Sequence, residues 1–228
     1  MSFARGYAFV PLPDGVERRP RNELTLDRRL DGHVFGELRF TYSVDQPLHV
    51  GSGIKDVRDR IIVRQFARDG EDPIIPGSSF KGALRSRFEA MSHSCVTFGE
   101  PNLGRDLRLS RELGSHPCLS PCKKIEAACP ACALFGVGTT TRGRVTVLDA
   151  RVEGTVEVVQ MPLQFGPQAA KLGKASGGTV VSLHGRKFAV GKYEPPLGHE
   201  PKTDRVEVVQ PGGRVFGALR LFNISPGE

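Results

Sequence analysis

The sequence predicts an α+β domain in which several short strands accompany one well-marked helix. Glycine and proline make up 44 of the 228 residues, well above the roughly 12% of average proteins, and this favours loops and short strands over a helix bundle. Apolar residues alternate with polar ones in several segments, which is typical of half-buried strands, and residues 80–91 carry apolar side chains at helical spacing. The order of strand, helix and further strands with insertions indicates a single α+β domain over residues 1–228.

The first strand is predicted over residues 33–50, where apolar and polar positions alternate at Phe35, Leu38, Phe40 and Tyr42. A Gly-Ser-Gly turn at residues 51–53 is expected to end this strand, and residues 53–60 are expected to form a loop. A second strand is predicted over residues 61–67.

A helix is predicted directly after the Pro-Gly pair at residues 76–77. Ser78 or Ser79 is a suitable N-cap. Lys81 and Arg85 are four residues apart and therefore share one helix face. The neighbouring face carries the apolar stripe Phe80, Leu84, Phe88 and Met91.

The second half of the chain contains strands and a long insertion. Residues 142–154 alternate as a strand, and residues 205–225 are predicted to form two paired strands around the Pro-Gly-Gly turn at residues 211–213. Residues 160–204 are rich in glycine, proline and lysine and are predicted to be a mobile basic excursion with a hairpin near residues 180–190.

Four of the five cysteines lie within a span of fifteen residues, at spacing C-x3-C-x6-C-x2-C. The sequence lacks a secretory signal and a membrane-spanning stretch, so it predicts a cytoplasmic protein with no membrane partner, in which such a cluster binds metal rather than forming disulfides. The spacing predicts a structural Zn²⁺ that stabilises an insertion over residues 94–136, with His116 or Cys95 as a replacement for one ligand and Cys95 expected outside the site. Free or redox-active thiols are the alternative. The four expected ligands are Cys118, Cys122, Cys129 and Cys132.

The chain carries 32 Lys and Arg against 25 Asp and Glu, a net charge of +7, which favours a polyanionic partner. The start of the predicted helix would present backbone N–H groups next to Lys81 and Arg85, an arrangement that binds phosphate. A second candidate contact is the turn at residues 51–53 with the cations that follow it. The alternatives are a solvated basic helix face and an ordinary hairpin turn.

Residues 74–91, IIPGSSFKGALRSRFEAM, resemble the signature of the RAMP superfamily, the RNA-binding subunits of CRISPR effector complexes. Residues 7–16, 47–53, 129–136 and 207–216 agree with the family in the same order. The resemblance is strongest to the repeated backbone subunit of type III systems and its zinc-containing relatives. It implies a ferredoxin-like (RRM-like) domain with a zinc-binding insertion and a thumb-like β-hairpin excursion over residues 160–204.

The resemblance also implies the partners. Such a subunit binds guide RNA, polymerises along it with other copies or related subunits, holds complementary target RNA and joins other CRISPR effector subunits. Family members usually continue past the last strand with a further helix and a second glycine-rich loop, so the interpretations are a truncated chain, one piece of a split multidomain protein, or a reduced variant. The RNA-binding residues expected here are Gly51, Ser52, Gly53, Lys55, Arg58, Pro76, Gly77, Ser78, Ser79, Lys81 and Arg85.

The resemblance further implies cleavage of target RNA by an aspartate in the loop before the signature. Asp59 is the expected catalytic residue and Asp56 the alternate, acting with Mg²⁺ or Mn²⁺ as a metal-dependent endoribonuclease. Charge balancing of Lys55, Arg58 and Arg60 is the plain alternative for both acids. Two other functions stay open, an architectural subunit that leaves cleavage to a partner nuclease and a subunit that processes the guide RNA precursor.

Overall fold

Among the residues that the structure describes, strands make up most of the regular structure and two helices accompany them. The computed structural model describes residues 7–10, 13–20, 26–95, 122, 127–137, 141–162, 171–175, 178–181, 186–189 and 203–226. Within these residues the elements are β1 (Tyr7–Val10), β2 (Arg19–Pro20), β3 (Val34–Ser43), β4 (Gly51–Arg58), β5 (Ile61–Phe66), β6 (Arg68–Asp69), β7 (Asp72–Ile75), α1 (Gly77–Met91), β8 (Ala127–Ala128), α2 (Pro130–Phe135), β9 (Gly136–Val137), β10 (Thr141–Arg142), β11 (Val145–Val147), β12 (Ala150–Glu153), β13 (Val156–Pro162), β14 (Lys171–Ala175), β15 (Gly178–Val181), β16 (Arg186–Ala189), β17 (Thr203–Val209) and β18 (Arg214–Ile224).

The central sheet is organised around β18. One edge of β18 pairs antiparallel with β3, and its other edge pairs antiparallel with β11 and β12, which follow one another along it. β7 pairs with β12, and β6 extends the sheet beyond β7. Because β3 and β11 both run antiparallel to β18 on opposite sides, they are parallel to each other with β18 between them. The chain passes through α1 between these two strands, which makes a split β-α-β unit.

α1 packs against the central sheet through its apolar stripe. Phe80 contacts the Phe40 ring on β3 with 5.1 Å between ring centroids, and Leu84 and Phe88 pack around α2 and β11. The prediction that Met91 belongs to this buried stripe was wrong, since its side chain is 86% exposed. Met91 is the last residue of α1 and lies beyond the turns that pack on α2.

A second sheet, of strand order β13-β17-β5-β4, packs against the first. The apolar residues between the two sheets are Val44, Phe66, Ala150, Val152, Val209 and Val215. The predicted loop at residues 53–60 is instead strand β4 and a two-residue turn. β4 pairs with β5 in a hairpin, and a register shift between Gly51 and Lys55 replaces the predicted Gly-Ser-Gly turn.

β17 and β18 do not pair with each other, contrary to the prediction of a strand pair over residues 205–225. β17 pairs with β13 and β5 in the second sheet, while β18 lies in the central sheet. The turn between them is held by Val44, whose N–H donates to Gly213 O and whose carbonyl accepts from Gly212 N, both at 2.8 Å. The turn therefore carries the chain from one sheet to the other.

The predicted excursion over residues 160–204 contains a hairpin, but not where the sequence indicated. β14 and β15 pair antiparallel to form this hairpin over residues 171–175 and 178–181, whereas β16, in the predicted position, pairs with β1. Residues 163–170, 176–177, 182–185 and 190–202 lie outside the described residues. Within the part of the chain that is described, no helix has the length and apolar content needed to cross a membrane.

Candidate nucleic-acid interface and metal centre

The signature turn (residues 76–82) starts α1 at the end of β7. The helix begins at Gly77, and its first N–H donates to Asp149 Oδ1 at 2.6 Å. The prediction that Ser78 or Ser79 caps the helix was wrong, because Pro76 occupies the cap position without a side-chain hydrogen bond and Asp149 accepts from the first amide. Ser78 and Ser79 are exposed instead. The first helix amide is thus already hydrogen-bonded to Asp149, and the exposed hydroxyl groups of this turn are those of the two serines.

Gly77 is required at this position by packing. A Cβ there would overlap the carbonyl oxygen of Val147 and come within 3.0 Å of the carbonyl carbon of Leu148. Both obstacles are backbone, which cannot rotate away as a side chain can. The start of the signature helix is therefore pressed directly onto the strand segment between β11 and β12.

We expect Gly77→Ala to destabilise the protein by roughly 1–3 kcal/mol, as overpacking of a tight site does. Gly82→Ala is the matched control on the same helix, since a Cβ at Gly82 meets nothing within 4 Å. That control should be stabilised by about 0.5–1 kcal/mol, the advantage of alanine in a helix. Urea denaturation of the two variants checks this, and equal effects of both would contradict the packing argument.

Lys81 lies one turn into α1 among other cations. Partial burial lowers the pKa of the Lys81 ammonium, and the charges of Arg85 and Arg142 lower it further. Arg142 lies on β10, so the chain brings a cation from a distant segment to the signature helix. The sequence pattern did not indicate Arg142, because it lies sixty-one positions further along the chain.

Arg85 points inward rather than toward solvent. Its Nε donates to Glu89 Oε1 at 2.7 Å, its Nη1 to the carbonyl oxygen of Gly136 at 2.8 Å, and its Nη2 to Cys132 Sγ at 3.6 Å. The Arg85 and Glu89 side chains are 21% and 3% exposed. This geometry does not support the expected contact between Arg85 and RNA, and it ties α1 to the cysteine-containing segment.

The β4–β5 hairpin presents the two candidate catalytic aspartates differently. Asp59 and Arg60 form its exposed two-residue tip, with φ of 50° and 66°. Asp56 lies within β4 and accepts from Arg58 Nε at 2.9 Å and from Val57 N at 2.8 Å. The hydrogen bond from Arg58 is the main reason why the pKa of the Asp56 carboxyl lies below its usual value.

Arg58 also anchors the hairpin to the second sheet. Its Nη2 donates to Glu207 Oε1 at 2.7 Å, and the other Glu207 oxygen accepts from Phe66 N at 2.9 Å and from Arg68 Nη2 at 3.3 Å. Burial raises the pKa of Glu207, but these three donors outweigh burial and hold the pKa below its usual value. Arg58, a predicted RNA contact, is thus already paired with two carboxylates.

The remaining predicted contacts on this hairpin are exposed. They are Gly51, Ser52, Gly53 and Lys55. Ser52 Oγ accepts from Ile54 N at 3.1 Å and donates to Gln65 O at 3.3 Å, and Gly53 has a φ of +84°. These interactions shape the irregular start of β4.

Four buried cysteines converge behind α1. Cys95 Sγ lies 3.9 Å from Cys122 Sγ, 3.4 Å from Cys132 Sγ and 3.5 Å from Cys129 Sγ. All four sulfurs lie within 4.8 Å of one another. Tetrahedral Zn²⁺ with bonds of about 2.3 Å separates its sulfur ligands by about 3.8 Å. This group of thiols could therefore hold a metal ion such as zinc.

The prediction that Cys95 lies outside the metal site was wrong. Cys95 follows the end of α1 and is fully buried beside Cys122, Cys129 and Cys132. Cys118, the fourth ligand that the spacing indicated, lies outside the described residues. Three of the four predicted ligands are brought together, and the fourth sulfur belongs to Cys95, which follows the end of α1.

Backbone donors surround the sulfurs and shape the site. Cys95 N donates to Cys129 Sγ at 3.4 Å, and Cys129 N donates to Cys122 Sγ at 3.3 Å. Hydrogen bonds from the other three thiols lower the pKa of Cys122, while hydrogen bonding to the same neighbours raises the pKa of Cys132. A divalent cation binds cysteine as the thiolate, so metal binding here would release the thiol protons.

The cysteines form the metal-binding candidate of the described chain. Among the described residues, no other group of three or more His, Cys, Asp or Glu side chains brings its ligand atoms together. Asp56 and Asp59 therefore do not belong to a carboxylate cluster in this part of the chain. A metal at the hairpin would need ligands from RNA or water in addition to aspartate.

The family model of the RAMP superfamily matches residues 41–216, more than half of the chain. The chain belongs to the RAMP superfamily. This confirms the resemblance found in the signature turn. Among curated proteins, none matches this RAMP protein.

Two solved structures are similar to this RAMP protein. A chain of the "Cryo-EM structure of the Type III-B Cmr-beta bound to cognate target RNA" aligns at 11% identity and a TM-score of 0.37, covering 82% of this chain and 46% of the other. A chain of the "Type IV-B CRISPR Complex" aligns at 15% identity and a TM-score of 0.31, covering 82% and 72%. The RAMP protein thus spans about half the length of the first of these chains.

Proposed function

We propose that this RAMP protein is a CRISPR effector subunit that binds guide RNA through its signature turn and holds complementary target RNA along it. The observation that carries the proposal is the first turn of α1, where Ser78 and Ser79 are exposed and the charge of Arg142 acts on the partly buried Lys81. Exposed hydroxyl groups and two cations match the oxygen acceptors and negative charge of an RNA backbone. Membership of the family supports the assignment to an effector complex.

The proposal includes a ferredoxin-like (RRM-like) arrangement of the domain. The strand order β3, β18 and β11–β12, with α1 between β3 and β11, matches the first part of that topology. Further copies of the chain or related subunits would bind along the same guide RNA, with other effector subunits as partners. The β14–β15 hairpin is the proposed thumb-like element that reaches the guide–target duplex, and the cysteine site is the proposed structural Zn²⁺ site.

Lys81→Ala should weaken binding of single-stranded guide RNA and lower the slope of log affinity against log salt by roughly 0.7, the value for one lost phosphate contact on a single strand. Fluorescence anisotropy over a salt series measures both quantities. Arg87→Ala is the control, because it removes the same charge from an exposed position on the same helix. If both variants lose the same affinity, general charge rather than the signature turn binds the RNA.

Cleavage of target RNA is a second candidate activity, and the hairpin geometry favours Asp59 over Asp56 for it. Asp59 is exposed at the hairpin tip, whereas Asp56 is hydrogen-bonded to Arg58. Asp59 would hold a hydrated Mg²⁺ or Mn²⁺, which stabilises negative charge that develops on a phosphate. Lys55 is exposed on the same hairpin and would add positive charge near the scissile phosphate.

Asp59→Asn should abolish metal-dependent cutting of a target paired with guide RNA, while Asp56→Asn should keep cutting. RNA affinity should change little in both variants because an acid makes no phosphate contact. The metal is withdrawn by omitting Mg²⁺ and Mn²⁺ rather than with a chelator, which would also attack the cysteine site. Intact target with the wild-type protein would favour the architectural function, and cutting of a repeat-containing precursor alone would favour guide processing.

A further inference from the structure

Within the described residues, the face of the central sheet opposite α1 is open. Along β18, Val215 and Leu221 point toward the second sheet and the helices, so the alternating residues Phe216, Arg220 and Phe222 point the other way. Arg220 faces Glu37 on β3 across the strand pair. Both the second sheet and α1 pack on the first face, and on the second face Glu37, Arg151 and Arg220 are exposed in the part of the chain that the structure describes.

A groove with a volume of about 510 Å³ lies at one end of this open face, within the roughly 300–1,000 Å³ of small-molecule sites. Four arginines line it, Arg29, Arg142, Arg144 and Arg220, against one carboxylate, Glu37. Hydrogen bonds from Arg39 and Arg220 lower the pKa of Glu37, so this carboxylate stays charged. The groove therefore has an excess of three positive charges.

Aromatic rings form the floor of the groove. Phe35 and Phe222 meet edge to face with 5.1 Å between ring centroids, and the Arg29 guanidinium lies 4.8 Å above the centre of the Phe35 ring. Rings and guanidinium planes on an open sheet are the surfaces on which proteins stack unpaired nucleic-acid bases. The groove thus offers stacking surface and positive charge together.

The groove is held in shape by a buried asparagine. Asn223 is fully buried with a φ of 51°. Its Oδ1 accepts from Leu30 N at 3.0 Å and its Nδ2 donates to Arg28 O at 2.8 Å. These two bonds attach the segment that carries Arg29 to the end of β18, so Arg29 is positioned over Phe35 by the fold rather than by chance.

Arg142 links the groove to the signature turn. It lines the groove, and its charge also acts on Lys81 at the start of α1. RNA held at the signature turn would therefore enter the groove at Arg142. Continuity with the proposed guide contact distinguishes this groove from a general basic surface.

We propose that the groove between Arg29, Phe35, Arg142, Arg220 and Phe222 binds a short unpaired segment of RNA, with phosphates on the arginines and a base stacked on the Arg29–Phe35 pair. This inference rests on the proposed function and extends it to a second contact on the opposite face of the sheet. The contact requires an unpaired base, because a paired one cannot stack on the floor of the groove. It therefore selects single strands over duplexes.

The test compares an Arg29→Ala/Arg220→Ala double variant with the wild type by anisotropy over a salt series, using single-stranded RNA and the same sequence as a duplex. Two lost phosphate contacts should lower the single-strand salt slope by roughly 1.4, and the lost stacking should weaken binding by about fivefold or more. Duplex affinity should change less. Arg151→Ala is the matched control, since Arg151 and Arg220 are both 63% exposed and each pairs with one glutamate. The RNA affinity and the salt slope of the Arg151 variant should match those of the wild type.

Photo-crosslinking of thiouridine-containing RNA to the wild-type protein gives an independent readout that needs no variant. Adducts on Phe35 or Phe222 support the groove, and adducts confined to the signature turn overturn it. A double variant with wild-type affinity overturns the groove while leaving the proposed function intact. If the wild type binds no RNA, both proposals fail. Polyglutamate that displaces RNA at equal charge would mean that the groove takes an acidic protein segment, which also overturns the proposal.

Discussion

Cys95→Ser should abolish the retention of one Zn²⁺ per chain and lower the stability of the protein by several kcal/mol. A structural zinc site contributes its binding free energy to folding, because the unfolded chain does not hold the metal. For a chain of this size, each kcal/mol corresponds to roughly 2–4 °C in Tm. A loss of three kcal/mol would thus appear as a shift of roughly 6–12 °C. Metal analysis and thermal unfolding measure the two effects.

We expect so large a loss of stability because the segment around the sulfurs has little other stabilisation. The buried residues around them are mostly small, Ala128, Ala131 and Ala133, and side chains of this size contribute little apolar burial. Arg85 joins the site to α1 through Cys132 and Gly136. Loss of the metal should therefore also weaken RNA binding at the signature turn, although no sulfur contacts RNA.

Cys118→Ser is the matched control, since the sequence spacing includes Cys118 and the observed cluster does not need it. We expect the Cys118 variant to keep its zinc and its Tm. Zinc loss in the Cys118 variant together with zinc retention in the Cys95 variant would contradict the cluster seen in the structure. Zinc-free wild-type protein, purified without chelator, would exclude a structural zinc altogether.

Glu207→Leu is expected to destabilise the protein by about 3 kcal/mol, the second large effect. The substitution leaves the buried amide of Phe66 without an acceptor, which costs roughly 1–3 kcal/mol, and it removes two charge-assisted hydrogen bonds from Arg58 and Arg68. Glu207→Gln should cost less, because its amide oxygen still accepts from Phe66. Urea denaturation at neutral pH ranks the two variants.

The same carboxylate makes stability depend on pH. The pKa of Glu207 lies below its usual value in the folded protein, so the stabilising contribution is complete above the unfolded pKa of about 4.3 and is lost as pH falls through the lower folded pKa. Glu207→Gln should therefore lose less stability than the wild type on acidification below about pH 4.3. Glu153→Gln is the control, because its pair with Arg151 is half exposed. If Glu207→Gln loses as much stability on acidification as the wild type, the assignment of this pH dependence to Glu207 is contradicted.

Local patterns in the sequence predicted the elements whose contacts are local. The strand at residues 61–67 and the helix after Pro76 appear at nearly the predicted bounds, because alternation and helical spacing report a single buried face. The metal site was predicted in three of its four sulfurs for the same reason, since Cys122, Cys129 and Cys132 lie close in sequence. Cys95 lies 27 residues before Cys122, and no spacing rule connects them.

Features that depend on distant segments could not be predicted in this way. Alternation showed that residues 205–225 form strands, but it carries no information on their partners, and the hydrogen bonds from Val44 decide that the two strands separate. Arg85 has the spacing of a surface residue, yet Glu89 and the carbonyl of Gly136 draw it inward. Asp149, which accepts the hydrogen bond from the first amide of α1, likewise lies in a segment that is distant from α1 in the sequence.

The central position of β18 has a consequence for the order in which the chain folds during its synthesis. β3 leaves the ribosome early, but its partner in the sheet comes from residues 214–224, and β11 and β12 need the same strand. Until β18 emerges, these strands have exposed edges and the apolar face that packs under α1 remains incomplete. Non-local closure of this kind is slow, and it leaves nascent chains open to aggregation and to chaperone binding. Ribosome-stalled chains that end before residue 214 should accordingly be protease-sensitive, whereas chains with residues 214–224 outside the ribosomal tunnel should become resistant.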